Sequence, residues 1–127
     1  MTDFLLATSS IHVSASAADF LADRATAEDT VWVLAVLEER TDPRDGEDAL
    51  NVAAVRLGTS TSVETETREG DPTEEIRAAA GEHAVDVIVI GPWRGEPGTA
   101  GTLGETARAV IEGADRPVVV VPLSGSV

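Results

Sequence analysis

The chain has 127 residues, enough for one domain with a real core and too few for two. Its 23 acidic and 9 basic residues, every basic one an arginine, give a formal charge of −14. That charge repels nucleic acids and anionic membranes at long range, and the absence of cysteine excludes disulfides and thiol catalysis. No apolar run approaches the roughly 20 residues that span a bilayer. Nor does a basic stretch followed by a long apolar one open the chain, so a soluble, cytoplasmic protein without membrane insertion is expected. The charges are dispersed, with no like-charge block. They read as adaptation to a salt-rich cytoplasm, where screening within about 3 Å at 1 M relieves self-repulsion, rather than as a partner-selecting surface.

Phe4–Ala7 is a short apolar run bounded by Thr8-Ser9-Ser10, a buried strand ending in a polar loop. Val13, Ala17, Phe20 and Leu21 then fall at helical spacing, with Asp19 and Asp23 outward. Thr30–Leu37 is continuously apolar, a strand covered on both faces. Thr41–Glu47 holds two turn dipeptides, Asp42-Pro43 and Asp45-Gly46, and reads as a loop. Leu50, Ala53, Ala54 and Leu57 form the next helical stripe, with Gly58 in the C′ position.

Ser62–Arg68 alternates, placing Val63, Thr65 and Thr67 on one face and Glu64, Glu66 and Arg68 on the other; these charges suit a sheet edge. Asp71-Pro72-Thr73-Glu74 combines an N-cap, proline at the first helical position and the glutamate of a capping box. Ile76, Ala79 and Ala80 carry that helix to Gly81. Ala84–Ile90 is a buried strand, followed by a loop with five glycines from Gly91 to Gly104. A last helix near Gly104–Gly113 buries Ala107, Val110 and Ile111, and Pro117–Pro122 brackets four valines. Strands alternating with helices require right-handed crossovers and a parallel sheet covered on both sides.

Three segments carry a resemblance to the universal stress proteins: Val63–Ile76 with its Gly-Asp-Pro helix start, Val85–Gly91, and Asp115–Pro122. It covers essentially the whole chain. It implies a doubly wound, Rossmann-like α/β domain over residues 1–127, with a five-stranded parallel sheet in the order 3-2-1-4-5. That order puts the topological switch point between strands 1 and 4, where Thr8–Ser10 and the Gly91–Gly104 loop converge. ATP-binding members carry a glycine, two residues, a second glycine, nine residues, then Gly-Ser or Gly-Thr. Gly91 fits the first position and Gly104 the last glycine. Arg94 stands where the second glycine belongs, with Gly95 one place late; Glu105 replaces the hydroxyl residue, with Thr106 one place late. Ser9 corresponds to the family's adenine-contacting aspartate, and Val36 keeps the position of a backbone contact to adenine.

These departures have physical consequences. A glycine lets backbone approach phosphate and take positive φ, whereas Arg94 restricts both and offers a guanidinium instead. Pro92 removes an N–H from the same loop. Near a helix N-terminus the Glu105 carboxylate takes the role of a phosphate, worth about 0.3–1 kcal/mol, and repels a triphosphate. The expectation is a stress-response or regulatory module with a degenerate motif and no enzymatic turnover. A site that keeps ATP or AMP through altered contacts, or hydrolyses ATP slowly, is the alternative. Hydrolysis lacks a metal-holding aspartate in the loop, a catalytic lysine and a defined base. Family domains also occur fused to transporters, which adds a regulatory subunit of a membrane transporter as a third reading.

Other candidates read as structural. His12 is an exposed loop histidine; His83 complements the dipole at the end of the third helix; Trp32 belongs to the core. The two histidines make no metal spacing. Trp93 folds over the cleft or stacks on a base. Val118–Val121 is the most β-prone segment, and as a terminal edge it invites pairing, so a homodimer through this strand is expected.

Overall fold

A computed structural model describes residues 1–92 and 103–123. Nine elements alternate along the chain: β1 (Asp3–Thr8), α1 (Ile11–Ala22), β2 (Thr30–Leu37), α2 (Pro43–Leu57), β3 (Ser62–Glu69), α3 (Pro72–Glu82), β4 (Val87–Ile90), α4 (Glu105–Gly113) and β5 (Val118–Val120). The strands form one sheet in the order β3-β2-β1-β4-β5, every neighbouring pair parallel. The doubly wound order expected above is therefore present.

Period-two alternation sends successive strand residues to two separate cores. Leu6, Val31, Val33, Ala35 and Val89 meet Ala17, Leu21 of α1 and Leu50, Ala53, Leu57 of α2. Leu5, Ala7, Leu34, Ile88 and Ile90 meet Ile76, Ala79, Ala80 of α3 and Ala107, Val110 of α4. The predicted division of β3 holds: Val63 packs on the first core, while Glu64, Glu66 and Arg68 run beside Trp32, Leu34 and Val36. At the other end of the sheet, Asp29 is buried and accepts from the amides of Thr2 and Thr26 at 2.7 and 2.8 Å. These bonds, the Thr26 amide first, hold its carboxyl below the usual range.

Several local expectations are corrected. The loop expected over Thr41–Glu47 is mostly helix, because Asp42 caps Arg44 N–H at 2.9 Å and Pro43 begins α2. Gly46 is no turn residue; a Cβ there would lie 2.7 Å from Leu37 Cδ2, so glycine permits close helix–strand packing. Gly58 is the C-cap itself, at a right-handed φ of −61°, not a left-handed C′ residue. Helix α3 passes Gly81 and ends at Glu82; His83 is the cap, and Ala84, at φ 50°, takes the left-handed turn. Strand β4 accordingly starts at Val87 rather than Ala84. Ile111 is 42% exposed rather than buried, and Trp32 is only half-buried.

Candidate functional site at the sheet switch point

The site is built where β1 and β4 end side by side. Leu6 pairs with Val89, so Thr8 and Gly91 follow two positions on. Thr8 is buried, and its hydroxyl turns into the protein rather than toward the cleft. It lies 2.9 Å from the Ser10 carbonyl and 2.7 Å from the Ser14 hydroxyl; Ser14 in turn reaches the Ala49 carbonyl of α2 at 2.6 Å. Two hydroxyl protons thus serve three contacts in a buried row, which fixes the β1–α1 turn against α2.

Ser10 starts α1, its side chain accepting from Val13 N–H at 3.2 Å. Ser9 is left exposed at the tip of the turn, and His12 is exposed in the first turn of α1. Thr8 pairs with Ala35, so Val36, half-buried, stands level with Ser9. Opposite, Gly91 and Pro92 leave β4 half-buried. The Gly104 amide donates to the Pro92 carbonyl at 2.6 Å, closing the base of the loop. Gly104 then caps α4 with no side-chain hydrogen bond, Glu105 is exposed at the first helical position, and Thr106 follows half-buried. Arg94 and Gly95, with Trp93, Gly98 and Gly101, lie outside the described residues.

The described candidates thus share the carboxyl edge of the sheet; His83 does not. Ser14 was missed by sequence reasoning. Its only signal is a hydroxyl among the small buried residues of α1, a weak one without its partners 6 and 35 residues away. Among the described residues no group of three or more potential ligands gathers to hold a metal, and no helix is long and apolar enough to cross a membrane.

A doubly wound parallel sheet with its cleft at a β1/β4 switch point defines an α/β protein of Rossmann-like architecture. The sequence profile of the Universal stress protein family matches residues 1–122, and the chain belongs to that family. The fold recurs in a hypothetical protein solved as a structural-genomics test of function assignment. That protein is 22% identical, with 98% of each chain covered and a TM-score of 0.79. A universal stress protein from Archaeoglobus fulgidus is 22% identical over 95% of this chain and 98% of its own, with a TM-score of 0.76. A universal stress protein family protein from Arabidopsis thaliana, solved with AMP bound, is 18% identical over 98% of this chain and 93% of its own, with a TM-score of 0.67. At these identities the likeness is one of fold. No curated protein matches the chain by sequence.

Proposed function

We propose that this chain is a stress-response or regulatory universal stress protein, without nucleotide turnover, whose switch-point cleft does not accept a triphosphate. The observation that carries the reading is the start of α4. The Gly104 amide is committed to Pro92, and Glu105 sets a carboxylate at the first helical position. A helix N-terminus favours negative charge there, so Glu105 is stabilised in place and opposes a phosphate chain. Calorimetry in molar KCl tests this: no heat with Mg-ATP up to millimolar is expected, and micromolar binding overturns it.

A second reading is a mononucleotide site. Structural neighbours were solved with AMP, cAMP and dAMP. Helix α4 lacks a side-chain cap, which leaves first-turn amides available to one phosphate. AMP released on denaturing a purified sample favours this reading over the first. The homodimer through Val118–Val121 belongs to the same proposal. Val118, Val119 and Val120 are half-buried at a sheet edge with no charged side chain among them. Light scattering in molar salt is expected to give twice the chain mass; a monomer mass overturns it. The acidic composition supports a salt-adapted cytoplasmic setting, for which the thermal midpoint rises between 0.1 and 3 M KCl.

A further inference from the structure

We propose that the Trp32–His83 stack is a proton-operated clamp, which fastens the edge strand β3 to the end of α3 while the imidazole is charged. The two rings lie 3.8 Å apart between centroids and 8° from parallel. His83 Nε2 is 3.0 Å from Glu66 Oε1, and the His83 backbone N–H caps α3 on Ala79 and Gly81. The Trp32 indole N–H is buried without a hydrogen-bond partner among the described residues, and the ring packs on the α3-side core as well as on the imidazole. One imidazole therefore joins β2, β3 and α3.

A proton on that ring strengthens all three contacts. It turns the Glu66 hydrogen bond into an ion pair, sets a cation over the indole face, and places positive charge at a helix C-terminus. The surrounding charges agree in sign. From β3, Glu64 stands beside Trp32 in register, and Glu66 bonds the ring. From α3 come Glu75 and Glu82. Opposing them is Arg68, 3.4 Å from Glu66 Oε1 and paired also with Glu75 and Glu82. Arg116 reaches the Ala80 and Val85 carbonyls, but Asp115 neutralises it. Four carboxylates against the one guanidinium of Arg68 leave a negative surrounding for the proton.

Burial pushes the Glu66 carboxyl up, but bonds from His83 and Arg68 hold it lower than usual. The clamp's added hold on β3 is present while the proton is bound and is lost as pH rises and the proton leaves.

Hydrogen exchange of the β3 amides bonded to β2, corrected for intrinsic chemistry, tests this at pH 5.5 and 7.5. Protection in the wild type is expected to be about fivefold greater at the lower pH. His83→Gln and His83→Phe, the latter keeping a ring on Trp32, are each expected to show a ratio near one. His12→Gln is expected to keep the wild-type ratio. A wild type without pH dependence, or either His83 variant retaining it, overturns the proposal.

Discussion

The start of α4 and the face between β3 and α3 solve opposite problems. At β3, Glu66, Arg68, Glu75, Glu82 and His83 pair with one another through side chains, and Trp32 stacks on the imidazole. At α4 the helix begins on bare Gly104, whereas Ser10, Asp42 and Asp71 cap α1, α2 and α3 with side chains. The contrast teaches where this sequence spends polar side chains on stability and where it leaves backbone donors open. The open place lies at the carboxyl edge of the sheet, with Glu105 in the first turn of the helix.

The largest expected effect breaks the closed region. Arg68→Ala strands Glu66, Glu75 and Glu82 without their shared cation and should cost about 2 kcal/mol at low ionic strength. Chemical denaturation should show that loss shrinking in molar KCl, as screening relieves the three carboxylates. Next comes acid. Asp29 has a depressed carboxyl, so its contribution is present above the ordinary carboxylate range and is lost as pH falls through its lower folded value. The thermal midpoint should therefore fall steeply from about pH 4 downward. Asp29→Asn should flatten that fall.

Removing a cap is smaller. Asp71 accepts from Glu74 N–H at 3.0 Å, and Asp71→Ala should cost about 1 kcal/mol, seen as a thermal midpoint lower by roughly 2–6 °C. At the open region the same kind of change barely registers. Glu105→Gln should cost only about 0.3–1 kcal/mol, because an exposed first-turn carboxylate gains little from the helix dipole. It should, however, raise affinity for Mg-ATP measured by calorimetry, and an unchanged affinity would count against Glu105 as the excluding group.

Much of the fold was legible because its signals are local. Alternation in β3 assigned Glu66 and Arg68 to one face, and Asp71-Pro72 marked the start of α3. At residues 42 and 43 Asp-Pro is a turn dipeptide as much as a helix start, and Asp45-Gly46 is a second one; Leu37, brought over Gly46 by β2, explains that glycine. Ile111 sits at helical spacing from Ala107 yet is partly exposed among the described residues, a matter of tertiary neighbours rather than of periodicity. Of the candidate site, the family resemblance proposes Ser9, Val36, Gly91 and Gly104, which the fold gathers at the carboxyl edge of the sheet. The Thr8–Ser14–Ala49 row and the Trp32–His83 stack join residues up to 51 positions apart. No local pattern encodes such meetings.

The two margins of the sheet differ in one further way. Along β3 the glutamates at 64, 66 and 69 would bring like charges together in self-pairing, whereas β5 carries only valines. A sheet hospitable on one margin and repellent on the other cannot polymerise by strand addition. The pairing proposed along β5 would therefore close at two copies and leave no margin open for a third.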